Sequence, residues 1–112
     1  MRLPANAPVP SWAESGSFHS ITRTQDELSI VCAAENVPRE SAGTQRWHAF
    51  KVHGPFALSE IGVLAALARP LAAANVSIFV ISTFETDYVF VNSEQFRNAA
   101  DVLVRAGHTL NL

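Results

Sequence analysis

The run Ser59-Glu60-Ile61-Gly62-Val63-Leu64-Ala65-Ala66-Leu67-Ala68-Arg69-Pro70-Leu71-Ala72-Ala73-Ala74-Asn75-Val76-Ser77-Ile78-Phe79-Val80-Ile81-Ser82 decides how this chain is read. From Ile61 to Ile81 it is almost wholly apolar, close to the ~20 residues that cross a bilayer. Arg69 and Pro70 interrupt it, and the residue types change from alanine and leucine to the β-branched and aromatic series Val76, Ile78, Phe79, Val80, Ile81. That change marks a buried helix followed by a buried strand, not a membrane span. Ile61, Leu64, Ala65, Ala68 and Leu71 recur at helical spacing, so the helix is predicted over Ser59 to Ala74 with Ser59 as its cap. Pro70 removes one amide and crowds the carbonyl of Ala66, which predicts a kink or an early end.

Working outward, Trp47, Phe50 and Val52 mark a strand that stops at Gly54-Pro55. Val76 to Ser82 is a second strand and Tyr88 to Val91 a third, joined by Thr83-Phe84-Glu85-Thr86-Asp87. Asn92 or Ser93 caps a second helix whose apolar face is Phe96, Ala99, Ala100 and Leu103, and Gly107 ends it in the left-handed conformation. His108 to Leu112 is expected to supply a fourth strand. Strand, helix, strand, strand, helix, strand is the α+β, ferredoxin-like βαββαβ order. Ahead of it, Met1 to Ser17 carries Pro4, Pro8 and Pro10 and reads as extended, with Trp12 docking on the domain. Phe18 to Thr24 and Glu27 to Ala33 read as a hairpin, and Asn36 to Gln45 as a linker. A weak repeat sixty positions apart matches Thr22 to Val31 with Ser82 to Val91, hydroxyl first and acid sixth.

Composition narrows the function classes. The chain has 112 residues, 48% hydrophobic and 16% charged, with net charge -2. A chain of this size hides roughly two-thirds of its unfolded surface without disulfides or structural metal. Lys51 is the sole lysine and the arginines are scattered from Arg2 to Arg105. Phosphate backbones and anionic membranes demand clustered cations, so neither nucleic acid nor membrane is an expected partner. Cys32 has no second cysteine to pair with, and the start Met1-Arg2-Leu3-Pro4-Ala5 lacks an apolar signal run, so a cytoplasmic location is expected. His19, His48, His53 and His108 show no metal-ligand spacing. No nucleophile elbow or phosphate loop appears, so neither enzymatic activity nor a cofactor is expected.

Topology locates the chemistry. In a right-handed βαβ crossover the two parallel strands end at one sheet edge, which gathers Gly54 to Gly62 with Ser82 to Asp87. The first segment opens a helix, whose free amides suit a carboxylate. The second brings Glu85 and Asp87, which suit an ammonium group. Together they fit an α-amino acid zwitterion. Gly62 permits close approach of a ligand or a second subunit. Glu60 either favours its own helix dipole or binds a cationic group.

His53-Gly54-Pro55-Phe56-Ala57-Leu58, Glu60-Ile61-Gly62-Val63, Pro70 to Ile78 and Ser82-Thr83-Phe84-Glu85-Thr86-Asp87-Tyr88 together resemble the ACT domain. Within it they are similar to the small tandem-ACT proteins related to the CASTOR cytosolic arginine sensors. The resemblance covers Arg46 to Leu112. It implies an ACT domain at residues 46–112 preceded by a partial ACT-like segment at residues 1–45. It also implies side-by-side pairing, hence a homodimer, and an amino acid ligand held at the interface to regulate a partner protein. Carried over residue by residue, it implicates Glu60, Gly62, Val63, Thr83, Phe84 and Asp87, with Ser82 adjacent. The competing expectation is a domain that only pairs with a protein, its pocket empty. The acids Glu60 and Asp87 separate the two, because a packing edge does not require them.

Overall fold

The computed structural model of the protein describes residues 1–53 and 62–111. The chain divides into two compact units, Met1–Thr44 and Gln45–Leu112. In the second, strands β4 (Trp47–Lys51), β5 (Ile78–Ser82) and β6 (Asp87–Asn92) form an antiparallel sheet in the order β4-β6-β5. Helices α1 (Val63–Ala73) and α2 (Phe96–Arg105) complete it. One face of the sheet is sealed: Phe50, Val89 and Val91 pack with Leu71, Val76, Ala99, Ala100 and Leu103 into a common core, with Ile78 and Val80 against it.

Local sequence accounts for the element ends. α1 is built of strong helix formers and starts at Gly62, whose φ of 83° places it in the left-handed region. The expected cap, Ser59, lies outside the described residues. Pro70 does not end the helix, which runs on to Ala73. The carbonyl that Pro70 leaves without an amide partner, that of Ala66, meets Nε2 of His108 at 3.0 Å. Asn75, at φ 60°, closes the helix while the Val76 amide donates to the Leu71 carbonyl at 2.9 Å. Asn92 is the residue that caps the turn into α2, its side chain accepting from the Glu94 amide at 2.9 Å. Gly107, at φ 100°, ends that helix.

The expected fourth strand is not formed. Residues 108–111 take part in no ladder among the described residues. Instead the His108 amide turns back to the Leu103 carbonyl at 3.0 Å, its ring takes the Ala66 carbonyl, and Leu110 packs on the core. Those bonds draw the chain toward the helices, not along the sheet edge.

The first unit holds strands β1 (Arg2–Leu3), β2 (His19–Arg23) and β3 (Leu28–Cys32) in the order β1-β3-β2. The hairpin matches expectation, whereas Met1 to Ser17 is not simply extended. It contributes β1 and a 3-10 turn at Ser11–Glu14, with Trp12 packed against a small core of Ala13, Leu28 and Ile30. Arg23 fastens this segment by donating to the Ala5 carbonyl and, at 2.8 Å, to that of Ala7.

The hairpins β2–β3 and β5–β6 repeat each other rung for rung. Adding 59 to each residue number carries the pairs His19↔Cys32, Ile21↔Ile30 and Arg23↔Leu28 onto Ile78↔Val91, Val80↔Val89 and Ser82↔Asp87. The offset is therefore 59, not the sixty that residue types suggest, because the hairpin register aligns Thr24 with Thr83. Likewise Arg2↔Ser29 matches Lys51↔Tyr88.

Candidate functional site

Strands β4 and β5 both run antiparallel to β6, so they are parallel to each other and finish at the same edge. Lys51 lies opposite Tyr88 and Ser82 opposite Asp87 on successive rungs. Side chains alternate faces along a strand, so Ser82 and Asp87 share the face of Val80, Val89, Ile78 and Val91, the one the helices cover. The apolar ladder of that face thus ends in a hydroxyl and a carboxylate. Ser82 Oγ donates to Asp87 Oδ1 at 2.6 Å, within the short range of a charge-assisted bond. Asp87 is half-buried.

The connecting residues fold because Thr83 substitutes for backbone. Its amide donates to the Thr86 carbonyl at 2.8 Å, and its hydroxyl donates to the same carbonyl at 3.1 Å. The Thr86 amide lies 3.2 Å from that hydroxyl oxygen. This is the local turn-making chemistry of threonine. Thr86 is only 8% exposed, and its own hydroxyl donates to the Val52 carbonyl at 2.6 Å. The Val52 amide donates to the Asp87 carbonyl at 2.9 Å. The chain leaving β4 is thereby clamped to the turn just before residues 54–61.

Of the residues expected at the site, Ser82, Thr83, Phe84 and Asp87 are gathered in this one turn. Phe84 is 84% exposed, so it is not a loop anchor in the core. Gly62 and Val63 stand at the start of α1, where the first intrahelical bond is Ala66 N–H to Gly62 O at 3.0 Å. The amides of Val63, Leu64 and Ala65 precede that bond. A Cβ on Gly62 would meet no other described residue within 4 Å. No hydrogen bond joins Gly62 or Val63 to the turn among the described residues. Glu60 lies outside the described residues. Sequence reasoning did not single out Thr86, which ties the turn to Val52. The only available signal was its place in the hairpin connection, since its partner Val52 is 34 positions away.

Elsewhere, no group of three or more His, Cys, Asp and Glu suited to a metal ion occurs among the described residues. Burial pushes the Cys32 thiol up in pKa, the amino terminus opposes this, and Glu35 adds to it. None of the helices formed by the described residues is long and apolar enough to cross a membrane.

A family model described as the ACT domain matches residues 43–105. The chain belongs to the ACT domain family. A second family model, of an N-terminal domain, matches residues 1–40. Among curated relatives of this ACT protein, the cytosolic arginine sensor for mTORC1 subunit 1 of Homo sapiens is 30% identical over 109 residues, which is 90% of this chain and 32% of the sensor. The Rattus norvegicus sensor of the same name is 30% identical over 112 residues, 34% of its length. The chain therefore spans about a third of the curated relatives it matches. An X-ray structure from Agobacterium tumefaciens matches with a TM-score of 0.90 and 44% identity, over 99% of this chain and 83% of that one. A structure from Vibrio cholerae, with a TM-score of 0.59 and 23% identity over 80% and 69% of the two chains, shares the fold.

Proposed function

We propose that this ACT protein is a regulatory module that senses a small amino acid, held between the turn 82–87 and the start of α1. The observation that carries the reading is the last rung of the helix-covered face. At that rung the chain places an exposed Ser82 and a half-buried Asp87, where the matching position of Asp87 in the first unit is the fully buried Leu28. A half-buried carboxylate is costly at such a position without a compensating role. Asp87, oriented by Ser82 and aided by Glu60, holds the ligand's ammonium or a cationic side chain. The first-turn amides at Val63 and beyond, behind Gly62, hold the carboxylate. Phe84 covers the aliphatic part, with Thr83 shaping the turn. The arginine-sensor names of the relatives support an amino acid ligand and a protein partner downstream. They also support a cytoplasmic setting and a role without catalysis.

On this reading residues 46–112 form the ACT domain and residues 1–45 a partial ACT copy, as the rung-for-rung match of the two hairpins supports. Side-by-side pairing of two such chains would complete the interface. The test is a thermal-shift screen with the twenty amino acids. A ligand at a hundred times its dissociation constant adds about 2.7 kcal/mol, a shift of several degrees at this size. Asp87→Asn should cut the shift to about half or less while leaving the unliganded midpoint nearly unchanged. If no amino acid shifts the midpoint, a pairing domain without ligand takes precedence, a reading that the exposure of Phe84 favours.

A further inference from the structure

Strand β4 uses only one of its two sides. The Ser93 amide donates to the Arg46 carbonyl at 2.8 Å, and the Val52 amide to the Asp87 carbonyl at 2.9 Å. In an antiparallel ladder, residues that exchange bonds with the neighbouring strand alternate with residues that do not. Arg46, His48, Phe50 and Val52 therefore turn their amides and carbonyls toward β6, and Trp47, Ala49 and Lys51 aim theirs outward. In the order β4-β6-β5 that outward side is an edge of the sheet. Among the described residues no strand takes it, since residues 108–111 join no ladder. Trp47, Ala49 and Lys51 are all exposed. The register with β6 runs unbroken from Trp47 to Lys51, and the stretch holds neither proline nor glycine. The edge thus lacks the bulges and prolines that keep other strands from adding.

Its sequence is complementary to itself. A two-fold axis through Ala49 sets the strand antiparallel to a second copy. Ala49 then lies opposite the partner's Ala49, and Trp47 opposite the partner's Lys51, so every outward amide and carbonyl is taken. Lys51, the sole lysine of the chain, is kept away from its own copy and set against an indole, a cation–π pairing. Like charges directly opposite each other would be destabilising. Phe79 holds that indole edge to face, with ring centroids 4.8 Å apart, and leaves it 39% exposed. On the helix-covered face the same register sets His48, stacked on Phe96 at 4.4 Å, opposite the partner's Phe50. A slip of two residues either way carries Trp47 or Lys51 past the end of the partner's strand. The other edge is different: Ile78 to Ile81 of β5 are half-buried, and no charge marks a register there.

We infer that the chain forms a symmetric dimer by pairing β4 with β4 of a second copy, which joins two three-stranded sheets into one. This names the edge and the register of the pairing. It requires no ligand, so it holds under either function proposed above.

Sedimentation velocity of the intact chain tests it, and a dimer is expected. Ala49→Pro removes an outward amide that β6 does not use, and Ala49→Lys sets like charges face to face across the axis. Both variants are expected to sediment as monomers with the parent's circular dichroism, whereas Ala49→Ser stays dimeric. In a Cys32→Ser background, Ala49→Cys is expected to cross-link to its copy through a short bis-maleimide, and Val104→Cys, on an exposed position of α2, is not. A monomeric parent chain, or a dimer that persists in folded Ala49→Pro and Ala49→Lys, would overturn the inference. Equal cross-linking at positions 49 and 104 would overturn it as well. Each of these results leaves the amino acid role to its own thermal-shift test.

Discussion

A single threonine hydroxyl, that of Thr24 in the first unit and of Thr83 in the second, organises each hairpin connection by replacing backbone partners that the sharp reversal cannot supply. Thr24→Ala and Thr83→Ala are each expected to cost about 1 kcal/mol, the net worth of a hydrogen bond whose loss leaves an amide unsatisfied. Urea denaturation checks this, and a cost confined to one of the two would show that the turns are not equivalent. Cys32 makes a second residue-scale prediction. Its thiol is raised chiefly by burial, so the folded chain holds the proton at a pH where the unfolded chain, near pKa ~8.5, has released it. Folding then loses stability as pH rises through that range, by the linkage of proton uptake to folding. The same shift slows alkylation: iodoacetamide at pH 8 should label native Cys32 more slowly than the urea-unfolded chain. Equal rates would contradict the burial effect. Ser82 and Asp87 were legible as candidates for the site because loop position and polarity are local properties. Thr86 was not, because its role exists only once Val52 has been folded against it.

At the scale of elements, periodicity carried most of the information. Both helices and both hairpins are written in spacings of three to four or of two, and the structure realises them within a few residues. What periodicity does not contain is the partner of a short or irregular segment. Arg2 and Leu3 are too few to show alternation, so β1 emerges only from its pairing with β3. His108 to Asn111 alternates like a strand, yet the ring of His108 is captured 42 positions away by the carbonyl of Ala66. That capture is a consequence of Pro70, which lacks the amide that would otherwise take this carbonyl. With Nε2 carrying the proton, His108 replaces the missing donor. A double-mutant cycle follows. His108→Ala should cost about 1 kcal/mol in the parent chain and distinctly less in Pro70→Ala, where residue 70 regains an amide and the carbonyl no longer depends on the ring. Additive effects in urea denaturation would mean that His108 and Pro70 act independently.

At the scale of the whole chain, two sheets of one register are supported by unequal cores. Equivalent central residues, Ile30 in β3 and Val89 in β6, are both almost fully buried. Their surroundings differ. Val89 belongs to a core that two helices cover, flanked by the five-residue strands β4 and β5. The Ile30 amide donates to the Met1 carbonyl beside a two-residue strand, within a core whose fully buried members are Ala13, Leu28 and Ile30. Local opening free energy follows buried apolar contact and the length of ladder that must be broken. The first unit has less of both, since Pro38 follows the 3-10 turn Ala34–Asn36 that corresponds to the turn Ser93–Gln95 leading into α2, and proline removes the amide a continuing helix would use. Native-state hydrogen exchange should therefore release the Ile30 amide before that of Val89, by at least about tenfold, which corresponds to ~1.4 kcal/mol. If the two amides exchange with equal protection, the sheets open together as one cooperative unit, and the smaller core cannot be the weaker part of the molecule.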